Sequence, residues 1–241
     1  INSTRIDNFD FLLPIADRIK DVVLLGGEPF YDPNCKRFLT WAHDNLHSNI
    51  TMFTNGSTVD WAWVENYAGK ITMVFSIDAV GKAAEYVRFG TDWPVVLKNF
   101  EQARANPKIN LRVNITTSIY NYYHLDQVIE LLASNWPSVV TFGSPSPLHL
   151  LEGVVPTDQR EVLIQKLYRA CVQLLKSDIP SDQKNNAINA LKSIIANLKT
   201  YPWDQENYLV LKEFVGKMDQ VKHVSAKDHC EFLAGVLDFS A

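Results

Sequence analysis

Cysteine is scarce in this 241-residue chain, and the three present lie far apart. Cys35, Cys171 and Cys230 form no CxxC or similar pair. That excludes a disulfide framework, points to a reducing compartment, and leaves no local cluster of thiolates for a metal. No stretch is long and apolar enough to read as a transmembrane helix. Lys and Arg form no run, and the net charge is -4, so no nucleic-acid footprint stands out. Neither GxGxxG nor a Walker glycine loop is present, which argues against a dinucleotide fold or a P-loop. No nucleophile elbow or Ser-His-Asp set is evident. His43, His47, His124 and His149 are scattered and are expected on helix or loop surfaces. The opening, Ile1-Asn2-Ser3-Thr4-Arg5, has no signal-peptide pattern and reads as part of something longer. A cytoplasmic location follows as the expectation.

What is present is an apolar share of 46%, enough for a sizeable core, and a regular alternation of elements. Val22-Val23-Leu24-Leu25 reads as a short buried strand. It stops at Gly26-Gly27-Glu28-Pro29. The glycines allow a sharp turn and close approach, and Pro29 ends the ladder. Glu28 is thereby held at the C-terminal end of a strand, where α/β proteins bind ligands. A carboxylate placed there needs a cation, an ammonium group or several N–H donors. The plainer alternative is a tight strand-to-helix turn with a solvated Glu.

Further strands are expected at 50–53, 71–75, 109–115 and 139–142. Their polar ends are Thr54-Asn55-Gly56-Ser57, Ser76-Ile77-Asp78, Thr116-Thr117-Ser118 and Gly143-Ser144-Pro145. Strand alternation puts Ser76 and Asp78 on one face. Between the strands, helices are expected from Pro33 to about His47 with Asp32 as its cap, at 59–68, from Trp93-Pro94 onward, and at 125–132. The second half of 2–20 looks helical, and 83–90 short and irregular. Strand, polar loop, helix, strand at about thirty-residue spacing is the pattern of βαβ units and a parallel sheet. From Pro156 the pattern changes to helices at 162–175, 183–198 (capped by Asp182) and 207–220. A final helical turn is expected around 227–232. His229-Cys230 beside Asp228 could form a ligand group but is read as structural.

The ordered set GGEP, TNG and SIDAVG, each closing a successive strand, resembles the radical S-adenosylmethionine (SAM) superfamily. Asp78-Ala79-Val80-Gly81, then Glu85-Tyr86-Val87-Arg88 and Trp93, is similar to the twitch-domain-containing branch, many of whose members are phage-encoded. The resemblance covers roughly residues 20 to 155. It implies a partial (β/α)6 barrel over 1–155, five strands visible and the first missing; the helices after Pro156 read as an extension over 156–241. In that family a CxxxCxxC loop holds a [4Fe–4S] cluster, whose open iron takes the amino and carboxylate groups of SAM. On this chain the resemblance places Gly26, Gly27, Glu28 and Pro29 at the methionine amino group, and Asn55 in the same pocket. Ser76 and Asp78 fall near the ribose, Asn114 and Thr116 toward the carboxylate or adenine side, and Phe142 and Gly143 near the adenine.

The chain lacks CxxxCxxC, so the cluster is expected only with an upstream segment that carries it, either removed from this chain or lost in a degenerate member. The functional expectation is the SAM-binding portion of a radical SAM enzyme acting on an unknown substrate. The alternative is a non-catalytic binding or structural protein on a degenerate barrel. An acid–base enzyme using Glu28 and Asp78 ranks last. A strand at 22–25 with no neighbour on one side would be an open edge, inviting a homo-oligomer or cover from residues 2–20.

Overall fold

The computed structural model describes residues 8–134, 136–144 and 150–238. Residues 145–147, part of the expected polar end after the fifth strand, and His149 lie outside them. The fold class is α/β: a five-stranded sheet in the order β1-β2-β3-β4-β5, followed by a helical C-terminal extension. The strands are β1 (Asp21–Leu24), β2 (Asn49–Thr54), β3 (Ile71–Ser76), β4 (Ile109–Thr116) and β5 (Val139–Gly143). β1 pairs with β2 in parallel, Asp21 opposite Asn49, and β2 with β3 in parallel, Ile50 opposite Ile71. Each strand lies beside its predecessor with no reversal of order. This is the winding of a partial (β/α) barrel rather than of a doubly wound sheet.

The chain divides into two compact units, 1–76 with 94–113 and 77–93 with 114–241. In the first, α1 (Pro33–Asn45), α2 (Trp61–Asn66) and α4 (Trp93–Ala105, all but Trp93 in this unit) join β1 to β3 and most of β4. Asp32 caps α1 as expected, its carboxylate accepting from the N–H groups of Asn34 and Cys35 at 2.9 Å each, with Pro33 in the first turn. Asp60 caps α2 through the N–H of Trp63 at 3.0 Å. One set of strand residues, Ile50, Met52, Ile71, Met73, Phe75, Leu111 and Val113, is buried, as are Leu39, Ala42, Val64, Val96 and Phe100 of the helices. Phe75 and Phe100 meet edge to face, 5.4 Å between centroids. Fully burying a side chain of this size is worth about 1.5–3 kcal/mol. Of the alternate set, Asn49, Thr51, Asn110 and Arg112 are polar and less buried, while Thr72 and Val74 are buried.

β1 lies at the sheet edge, with Val23 53% and Leu25 74% exposed. The segment before it is a 3-10 helix over Asp10–Arg18, not an α-helix. Pro14 inside it lacks an N–H and crowds the preceding turn, which an α-helix does not tolerate.

The second unit contains α3 (Gly81–Val87), the end of β4, α5 (Leu125–Ala133), β5, α6 (Arg160–Lys176), α7 (Ser181–Thr200), α8 (Gln205–Lys222), α9 (Ala226–His229) and α10 (Glu231–Leu237). Three expectations are corrected here. Of residues 83–90, expected to be irregular, 83–87 belong to a helix, Gly81–Val87, that buries Ala83, Ala84 and Tyr86. Asp182 does not cap α7, which starts one residue earlier at Ser181 after Pro180. Asp182 sits in the first turn, where its charge complements the helix dipole. His124 is not a plain surface residue. Its Nε2 is buried with no partner among the described residues, and burial lowers its pKa despite support from Gln127.

Candidate functional site

In the first unit the site is built on the end of β1 and the end of β2. Gly26 and Gly27 have φ of 82° and 66°, a conformation that side chains with a Cβ rarely adopt. The chain then turns tightly: the N–H groups of Tyr31 and Asp32 both donate to the carbonyl of Glu28, at 2.9 and 2.8 Å. Pro29 and Phe30 are buried beneath the turn. This folds the Glu28 side chain toward β2. Its Oε1 accepts from the hydroxyl of Thr54, the last residue of β2, and its Oε2 accepts from the backbone N–H of Asn55 at 2.8 Å. The carboxylate is only partly buried. These two uncharged donors orient its oxygens within the tight turn that follows β1.

The supports of this carboxylate are themselves held. Asn55 Oδ1 accepts from the N–H of Ser57 at 2.8 Å, and Thr54 Oγ1 from the N–H of Gly56 at 2.9 Å. The carbonyl of Gly56 accepts from Asn99 Nδ2 of α4 at 2.8 Å, and Asn99 Oδ1 from the indole of Trp61 at 3.2 Å. Gly56 has φ of 76°, and a Cβ there would lie 2.7 Å from the ring of Phe75. The TNG stretch is therefore a close-packed turn that presents one N–H and one hydroxyl to Glu28. Ser76 is the last residue of β3.

In the second unit the centre is Asp78, whose side chain is 7% exposed. Its Oδ2 takes Nε and Nη2 of Arg88 at 2.8 and 2.7 Å, and its Oδ1 takes the N–H of Thr116 at 2.7 Å. Three of the four acceptor positions of the carboxylate are used in this way. Asn121, fully buried, locks the same turn. Its Nδ2 donates to the carbonyls of Asp78 and Thr116 at 2.8 Å each, and its Oδ1 accepts from the N–H of Ser118 at 2.7 Å. Asn114 Oδ1 accepts from the hydroxyl of Thr141 at 2.8 Å. The carbonyl of Gly143 accepts the N–H and hydroxyl of Thr117 at 2.7 and 3.1 Å. Phe142 precedes it in β5.

The structure therefore joins Glu28 directly to Asn55, and Asp78 directly to Thr116. Sequence reasoning singled out both carboxylates and missed three of their partners. Thr54 was legible as the residue before Asn55 at a strand end. Arg88 was visible as a cation ten residues after Asp78, in a stretch expected to be irregular. Asn121 carried no signal, because its role depends on the fold bringing two distant carbonyls to one amide.

The cysteines do not fit an iron–sulfur cluster. Cys171 and Cys230 are buried and Cys35 partly so, and all three are free. Burial raises the thiol pKa of Cys35 and Cys171, and pushes that of Cys230 up to about 12, which disfavours the thiolate that binds iron. Among the described residues, no group of three or more His, Cys, Asp or Glu is placed to hold a metal. None of their helices is long and apolar enough to cross a membrane.

No family model matches the chain, and no curated protein does. Among solved structures, that of Streptococcus suis SuiB bound to S-adenosylmethionine is similar with a TM-score of 0.45 and 18% identity. The match covers 64% of this chain and 35% of that one, so this chain spans about a third of that protein's length.

Proposed function

We propose that this chain is the SAM-binding portion of a radical SAM enzyme, of the branch that its SIDAVG and EYVR motifs resemble. The observation that carries the reading is Glu28: a partly exposed carboxylate just past a parallel strand, with both oxygens aimed by Thr54 and Asn55. An ammonium group is the natural ligand for such a carboxylate, and the charge-assisted hydrogen bond is about twice as strong as a neutral one. Gly26 and Gly27 let the backbone run close to that group. In the second unit, Asp78 is held by Arg88 and retains one acceptor position on Oδ1 for a sugar hydroxyl. Asn114, Thr116, Phe142 and Gly143 are assigned to the adenosyl side on their positions at the ends of β4 and β5.

Cluster chemistry would need thiolates from a CxxxCxxC segment, which this sequence does not contain. This chain's own part is to bind and orient the methionyl ammonium and the nucleoside. The dispersed, buried thiols also favour the second reading, a SAM-binding protein without radical chemistry. Both of these readings include SAM binding, which a purely structural protein on a degenerate barrel would lack. Calorimetry should show weak, saturable binding of SAM by this chain and its loss by about tenfold in Glu28→Gln, since about 1.4 kcal/mol is a factor of ten. With dithionite, iron and sulfide this chain should yield no 5′-deoxyadenosine. The same assay on a form extended by a CxxxCxxC segment separates the two readings. SAM binding that ignores Glu28 would remove both.

A further inference from the structure

The first unit contains a second polar feature, at the opposite ends of its strands from Glu28. A cavity of about 1300 Å³ opens over the N-terminal ends of β1 to β4. Its floor is a hydrogen-bonded row of side chains, one from each strand. Asn49 Nδ2 donates to Asp21 Oδ1 at 3.0 Å, the Thr72 hydroxyl to Asn49 Oδ1 at 3.3 Å, and Asn110 Nδ2 to the Thr72 hydroxyl at 3.4 Å. Strand alternation puts Arg112 on the same face of β4 as Asn110, and it lines the same cavity. Its Nε is buried and has no partner among the described residues. A buried N–H of a charged group without an acceptor is costly, and native structures rarely keep one without use.

The charge around the cavity is uneven. Lys20, Lys70, Lys108 and Arg112 line it against two carboxylates, Asp17 and Asp21. Lys108 is partly committed, donating to the carbonyls of Glu65 and Tyr67 at 2.7 and 3.0 Å. Asp21 is partly committed to Asn49. Lys20 and Lys70 are exposed and, like Arg112, are in no ion pair among the described residues. The surplus of two positive charges matches a dianion. The guanidinium fork suits a phosphate, and the row of amides and hydroxyl offers neutral polar contacts to the rest of a ligand.

We propose that this cavity is a binding site for a phosphate-bearing small molecule, with Arg112 as its anchor and Lys20 and Lys70 as its outer charges. The site uses neither Glu28 nor Asp78, so it stands or falls apart from SAM binding.

Titration of the chain with inorganic pyrophosphate, without SAM, tests it by calorimetry at low and moderate salt. Saturable binding is expected, weakening with salt and falling about tenfold in Arg112→Gln. Because Arg112 is partly buried, the exposed pair Lys20→Ala with Lys70→Ala is measured alongside. That variant should fold as the parent does and also bind more weakly. Absence of saturable pyrophosphate binding by the parent overturns the proposal. So does binding unchanged in the lysine double variant, or in a folded Arg112→Gln.

Discussion

Two carboxylates stand just past the ends of parallel strands, and the chain uses them in opposite ways. Glu28, in the first unit, is partly exposed and oriented by a hydroxyl and a backbone N–H. Asp78, in the second, is buried against a guanidinium, a backbone N–H and a turn locked by Asn121. The first arrangement aims a charge without neutralising it through those two donors. The second consumes most of the charge's hydrogen-bonding capacity in joining the turn at Asp78 to Arg88 and to Thr116. A strand-end carboxylate is thus not one kind of object. Which role it takes is set by how exposed it is and by the donors that the fold brings to it.

That contrast breaks most visibly at Asp78. Asp78→Ala strands Arg88 and leaves the N–H of Thr116 without its acceptor. Arg88 is one-third exposed, so the loss is expected at about 3 kcal/mol, the low end for a broken buried pair. Urea unfolding should show it, with a smaller loss in Arg88→Lys. Glu28→Gln, which keeps the shape and some of the hydrogen bonding, should cost at most about 1 kcal/mol. Equal losses for the two would erase the distinction.

Gly56 sharpens the first-unit side of the comparison. Gly56→Ala puts a Cβ against the Phe75 ring and strains a positive φ, and should cost about 2 kcal/mol. Because Thr54 and Asn55 flank it, the variant should also weaken SAM binding even where enough folded protein remains to measure. A destabilised Gly56→Ala protein with unchanged SAM affinity would show that the TNG turn does not position Glu28.

The smallest effect is on the pH profile of the second unit. Burial lowers the pKa of His124 from its usual 6.5 in the folded state. The unfolded chain then takes up the proton first as pH falls. Stability contributed by neutral His124 is therefore full above about 6.5 and declines below it, levelling off beneath the lowered folded value. Denaturant melts between pH 7.5 and 5 should show a slope in the parent that flattens in His124→Gln. An unchanged slope would assign the dependence to other groups.

The strands were legible because their signals are local. Runs such as Ile71-Thr72-Met73-Val74-Phe75 are β-rich and bounded by glycine and polar residues, and all five were readable within two residues of their ends. Asp32-Pro33 announced α1 equally plainly. Residues 81–87 were not legible as helix, because the stretch is short and its apolar residues show their common face only when packed. For residues 10–18 the apolar spacing alone does not separate 3-10 from α; the distinguishing residue is Pro14.

At the site, Glu28 and Asp78 could be read as strand-end carboxylates from the chain alone. Their different fates could not, since Arg88 and Asn121 reach Asp78 only after α3 and the turn following β4 have formed. The polar row Asp21, Asn49, Thr72 and Asn110 was equally hidden, being one residue from each of four strands.

The most direct test of the central contrast is a calorimetric titration of SAM into the parent, Glu28→Gln and Arg88→Lys proteins, each shown to be folded by urea unfolding under the same conditions. Glu28→Gln is expected to keep nearly all of its stability and lose about tenfold in affinity, while Arg88→Lys loses stability first and affinity less. SAM affinity untouched by Glu28→Gln in a folded protein would contradict the account.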